Sequence, residues 1–161
     1  MTAQNVIEMR KVTKIFGEFV ANDQIDLQVR KGEIHALLGE NGAGKSTLMN
    51  MLSGLLEPTS GEILVNGELE KIDSPSKASK LGIGMVHQHF MLVDAFTVTE
   101  NIILGNETVH GGKLDIKKAE KEILELSQKY GLEVKPDALV RDINVGQQQR
   151  VEILKTLYRG A

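Results

Sequence analysis

Gly39-Glu40-Asn41-Gly42-Ala43-Gly44-Lys45-Ser46-Thr47 carries the spacing G-x-x-x-x-G-K-[ST], and each position suits the gripping of a polyphosphate. Glycines let the backbone turn tightly enough to aim successive N–H groups at phosphate oxygens with no Cβ in the way. The loop then opens a helix whose positive N-terminal end favours the same anion. Lys45 can reach the terminal phosphates, and the Ser46 hydroxyl can ligate Mg2+. The competing explanation is a chance glycine-rich turn. The flanks argue against it: Glu33-Ile34-His35-Ala36-Leu37-Leu38 reads as a buried strand and Leu48-Met49-Asn50-Met51-Leu52 as the helix after it. Strand, loop and helix together predict nucleotide binding.

Three more features stand around that loop. Phe16, in Lys14-Ile15-Phe16-Gly17, is a flat aromatic able to stack on a nucleobase, although a lone Phe is more often a packing residue. Gln88, in Met85-Val86-His87-Gln88-His89-Phe90, follows an apolar run at the place where open α/β sheets put ligand-contacting loops. Its amide offers an acceptor for Mg2+ or a bound water and a donor for phosphate. His87 and His89 lack further ligands at suitable spacing, so ordinary surface or packing roles are expected of them. Finally, Asn144-Val145-Gly146-Gln147 has the form of a capping box, which is a complete structural explanation. The functional alternative is a second helix N-terminus offered to a phosphate, with Gly146 allowing close approach.

The elements that must position these residues change character along the chain. Val6–Val12 and Ile25–Val29 read as strands, as does Ile63–Val65, and Asn66-Gly67 is a strong hairpin signal. Ser74-Pro75 starts a short helix through Leu81, and Ile83–Val86 is expected to return to the sheet. After Gln88 the pattern is helical: Thr99 is a candidate cap for a turn through Leu104. Asp115 is another, for a helix that Gly131 ends. A last helix is expected from Val145 to Tyr158, stopped near Arg159-Gly160.

Bulk properties narrow the class. In 161 residues there is room for one cored domain or part of a larger one. Lys plus Arg number 19 against 22 for Asp plus Glu, a net charge of −3, so no nucleic-acid surface is indicated. No window approaches the unbroken apolar length of a membrane span. The absence of cysteine removes disulfides and thiolate metal sites.

Taken in order, these features resemble the ATP-binding cassette (ABC) family. Gly39–Thr47 is similar to its phosphate loop, Phe16 to its adenine-stacking aromatic, Gln88 to its glutamine loop, and Asn144–Gln147 to its signature sequence. The wording Met85–Leu92 and Val145–Leu154 resembles bacterial importers of simple sugars or nucleosides, where one polypeptide often carries two cassettes. The resemblance implies an α/β P-loop NTPase fragment with an antiparallel β subdomain, part of the parallel core sheet and an α-helical subdomain. A β-rich nucleotide-binding part over 1–88 and a helical part over 89–161 are expected. ATP and Mg2+ are implied as ligands, with Ser46 and Gln88 at the metal and Asn144, Val145, Gly146 and Gln147 at the phosphate of an opposing cassette. Two departures stand out. The family usually has Ser where this chain has Asn144, and the strand ending in an Asp and a Glu, which completes the Mg2+ site and positions the attacking water, is not among these residues. Phosphoryl transfer rests on positioning and charge stabilisation, so the chain by itself is expected to hydrolyse ATP negligibly. The β strand carrying Leu37 and Leu38 is also expected to lack its parallel neighbour and expose apolar surface.

The implied function is the ATP-binding subunit of an importer. Its implied partners are a second cassette, a membrane permease docked near Gln88 and, indirectly, a solute-binding protein, with no nucleic acid. It is expected to lie in the cytoplasm against the inner face of the membrane. The alternatives are a cassette ATPase acting on DNA or ribosomes, a P-loop small-molecule kinase, and a nucleotide-sensing module.

Overall fold

Apolar and polar residues alternate along Val6–Arg10 and Ile25–Val29 apart from Ile7 beside Val6, so one face of each strand turns inward. The two strands pair antiparallel as β1 (Asn5–Phe16) and β2 (Phe19–Arg30). The computed structural model describes residues 4–87, 89–106, 109–110 and 113–161. These fall into two units, 1–83 and 84–161.

In the first unit the hairpin is joined by α1 (Lys45–Leu52), β3 (Ser60–Val65), β4 (Glu68–Leu69) and α2 (Pro75–Lys80). The strands form one antiparallel sheet in the order β2-β1-β3-β4. β1 and β2 run past the ends expected from sequence because irregularities mid-strand interrupt the alternation. Lys11 and Gln24 sit at φ 47° and 46°. Their N–H groups are taken up by Asp26 Oδ1 and Thr13 Oγ1, each at 2.9 Å. Such bulges add local twist and re-aim the chain without ending the pairing. Asn66 and Gly67, at φ 53° and 88°, make the expected tight turn between β3 and β4. Ser74 caps α2 with Pro75 at its first turn. Met9, Val12, Leu48, Met51, Ile63, Val65, Ile72 and Ala78 close the core between sheet and helices.

The second unit is helical. It contains α3 (Val98–Ile103), a short ladder of β5 (Val109–His110) with β6 (Lys113–Leu114), α4 (Ile116–Tyr130), a 3-10 turn at Val140–Asp142 and α5 (Val145–Tyr158). Ile102, Ile103, Ala119, Ile123, Val151 and Leu154 bury the apolar faces of the three helices against one another. Asp115 caps α4 and Gly131, at φ 66°, ends it, as expected. α3 is capped by Thr97 rather than Thr99. Thr97 forms a complete capping box with Glu100, whereas Thr99 is buried and its hydroxyl donates to the Pro136 carbonyl at 3.0 Å.

One expectation is corrected. Residues 33–40 and 83–87 form no strand, so the parallel part of the sheet is not laddered among the described residues. The physical reason is pairing: a parallel strand needs neighbours reached by crossover, and no described strand ladders with either stretch. Ile34 is 100% exposed and Leu38 89% exposed as a result. Among the described residues no helix is long and apolar enough to cross a membrane.

Candidate functional site

The loop over Gly39–Thr47 is built from below by β2 and from behind by α1. Gly44 is the N-cap of α1 in the left-handed region, at φ 70°. A Cβ there would run into the carbonyl oxygen of Ala21, so the close passage of β2 beneath the loop requires glycine at this position. Leu48 and Met51 anchor α1 in the core, and this fixes the helix end that faces the loop. Ser46 is exposed and Thr47 half-buried at that end.

Lys45 Nζ donates to the carbonyls of Gly39 and Glu40 at 2.9 and 3.1 Å. An ammonium has three donors, so two fold the loop around the cation and the third can meet an anion. Neither Lys45 nor Ser46 turns into the apolar interior. A left-handed glycine, a fixed helix N-terminus and a cation curled over the loop make an anion cradle. The Ser46 hydroxyl is a hard oxygen donor of the kind Mg2+ takes alongside phosphates, so the donor set fits that metal.

Asn22 was not legible as a site residue. It is buried on β2, and its Nδ2 donates to the Gly44 carbonyl at 2.8 Å, tying the strand to the loop. Its Oδ1 has no hydrogen-bond partner among the described residues. The available signal was an Asn inside an otherwise strand-like run, a residue that sheets disfavour without a polar partner.

Phe16 lies at the last position of β1, opposite Phe19, and both rings are exposed. Lys14 Nζ sits 5.2 Å from the Phe16 ring centre, within cation–π range, and also donates to the Glu57 carbonyl at 2.6 Å. The ring is thus held at the hairpin tip with surface left for stacking. Glu33 stiffens the approach to the loop: it accepts from the Arg30 N–H at 2.9 Å and meets His35 Nδ1 at 2.9 Å. These two contacts, His35 first, hold its carboxyl below the ordinary range. Gln88 lies outside the described residues.

In the second unit Asn144 and Gln147 form the reciprocal cap. Gln147 N–H donates to Asn144 Oδ1 at 2.9 Å, and Asn144 N–H donates to Gln147 Oε1 at 3.1 Å. Val145 beside them is 69% exposed. A Cβ on Gly146 would meet Asn144 Oδ1 at 3.4 Å, so the first turn is tight around its own cap. The carboxylates elsewhere do local work. Glu57 pairs with Lys71 at 3.4 Å, Asp73 accepts from Ser74 at 3.1 Å, and Glu100 closes the α3 cap. Among the described residues no cluster of three His, Asp or Glu could hold a metal alone.

A family model described as "ABC transporter" matches residues 22–161. The chain is 75% identical, over all 161 of its residues, to the nucleoside import ATP-binding protein NupA of Lactococcus lactis, of which it covers 32%. It is 65% identical over 156 residues to the guanosine import ATP-binding protein NupO of Bacillus subtilis, covering 97% of this chain and 31% of that one. The structure of cbiO1 from Clostridium perfringens, part of the ABC transporter complex cbiONQ, superimposes with a TM-score of 0.77. It is 27% identical, over 97% of this chain and 62% of that one. The chain therefore spans about a third of the length of the curated relatives it matches.

Proposed function

The chain belongs to the ABC transporter family, and on that premise we propose that it forms the nucleotide-gripping part of an importer's ATP-binding subunit. The observation that carries this is the cradle itself: Lys45 curled over the Gly39–Thr47 loop at the anchored N-terminus of α1. In this reading the loop N–H groups and Lys45 bind the ATP phosphates, and Phe16 stacks on the adenine. Ser46 and Gln88 would hold Mg2+, which would supply positive charge against the phosphates. The exposed first turn of α5, Asn144–Gln147, serves the phosphate of a nucleotide gripped by a second cassette. Asn144 keeps the side-chain acceptor of a cap while presenting an amide where the family has a hydroxyl.

Hydrolysis is assigned to the longer polypeptide. Glu57 is held in an ion pair, Asp73 accepts from Ser74 and Glu100 closes a helix cap, whereas a water-orienting acid is needed to complete phosphoryl transfer. The solute is a nucleoside rather than a simple sugar, because the relatives at 75% and 65% identity are named for nucleoside and guanosine import. A permease in the membrane docks beside Gln88 and holds the protein at the cytoplasmic face.

The test uses the full-length protein. Wild type should bind Mg-ATP and, with its permease in vesicles, drive uptake of labelled guanosine in preference to ribose. Binding without uptake in any membrane would leave a nucleotide-sensing module; phosphorylation of a small acceptor would point to a kinase.

A further inference from the structure

The stretch after Gln88 is tied to α5 by a buried carboxylate and a half-buried lysine that the proposed site does not use. Glu152, on α5, is only 3% exposed, among apolar neighbours such as Val151 and Leu154. A buried carboxylate is costly unless it is hydrogen-bonded. Its Oε1 accepts from the Met91 N–H at 2.7 Å. Lys155, one turn on and on the same face, donates from Nζ to the Met91 carbonyl at 3.0 Å. Both backbone polar groups of Met91 are therefore held by one helix. Two residues further, Asn101 of α3, fully buried, accepts from the Val93 N–H at 2.7 Å and donates to the Val93 and Thr97 carbonyls at 3.0 Å each. Leu92, between them, packs into the helical core. Met91, Val93 and Phe96 still present exposed apolar surface, so the segment is rigid behind and bare in front. Burial also pushes the Lys155 ammonium below its ordinary value.

We propose that Glu152 is a positioning residue that locks the Met91–Val93 segment to α5, so that displacement of the Asn144–Gln147 end of the helix is delivered to the segment that follows Gln88. The capped end and Glu152 lie on one unbroken helix, about 12 Å apart at the helical rise. A rigid rod with a two-point clamp transmits motion, whereas a loop packed only by apolar contacts slides. This inference rests on the importer reading given above.

The experiment uses the full-length protein assembled with its permease in vesicles, comparing wild type, E152A, E152Q and K155M. E152A should keep the KM for ATP and the unstimulated hydrolysis rate, yet lose solute moved per ATP by about tenfold, a typical coupling energy. Amide exchange at 91–93 should quicken in the same variant. E152Q keeps an acceptor oxygen for the Met91 N–H and should restore both. If E152A does not fold, K155M removes only the contact to the Met91 carbonyl and should show the same split in milder form. Unchanged uptake per ATP in E152A or K155M, or no rescue by glutamine, overturns the proposal while the importer reading stands. A wild type that binds ATP but moves no solute overturns the importer reading, and the coupling role falls with it.

Discussion

Lys45 spends two of its three donors on the carbonyls of its own loop, so its cost to fold is already met before a nucleotide arrives. Replacing it with Ala in the full-length protein should weaken Mg-ATP binding about 10–100-fold, the worth of a charge-assisted hydrogen bond. Calorimetric titration measures this, and an unchanged Kd would remove the cradle from the argument. Asn22 acts one step back, through Gly44. N22A should lower stability by about 1 kcal/mol and loosen nucleotide binding without abolishing it, as read by denaturant melts with and without ATP. Glu33 supplies a pH signature. Its folded value lies below its unfolded one, so its contribution is complete above the unfolded value and disappears as pH falls through the folded one. An NMR titration of its side chain should show a midpoint acid of a free glutamate, and E33Q should flatten acid-side stability. The place of Gly44, Lys45 and Ser46 at the start of α1 was readable from residue type and spacing. Asn22 was not, because nothing in a linear pattern says that β2 passes beneath the loop.

At the scale of elements, caps were legible where one residue had one job. Asp115, Ser74 and the Asn144–Gln147 pair all cap as their local patterns require. Thr97 and Thr99 show the limit: Thr97 precedes α3 and Thr99 lies in its first turn, and the burial of Thr99 against Pro136 decides between them. The α5 cap yields a clean separation of structure from function. N144A should destabilise the helical unit by about 1 kcal/mol, whereas N144S retains a good cap and should leave stability nearly unchanged. Any change in ATP hydrolysis by the full-length N144S protein, measured beside an unchanged melting curve, then reports on the contact to nucleotide rather than on the helix. Strand lengths were legible only in part, since the positive φ angles at Lys11 and Gln24 break the period that marks a strand while the ladder continues.

One unit carries the Gly39–Thr47 loop folded around Lys45 and the other an exposed helix end, while the apolar stretch entering the loop ladders with no described strand. Amides at 34–38 should exchange rapidly in the chain of 161 residues and become protected in the full-length protein, where further strands can pair with them. Equal exchange in both would mean that this stretch is not a strand at all. What the sequence determined by itself was chemistry and local geometry: glycine spacing, a lysine and a hydroxyl at a helix start, turn residues and caps act through bonds a few residues long. Only the tertiary structure could decide the rest: the passage of β2 under Gly44 and the clamp on Met91 by a residue of α5 that lies 61 positions away. Those depend on which distant groups find each other, and hydrogen-bond pairing between strands or across a core leaves no mark in local periodicity.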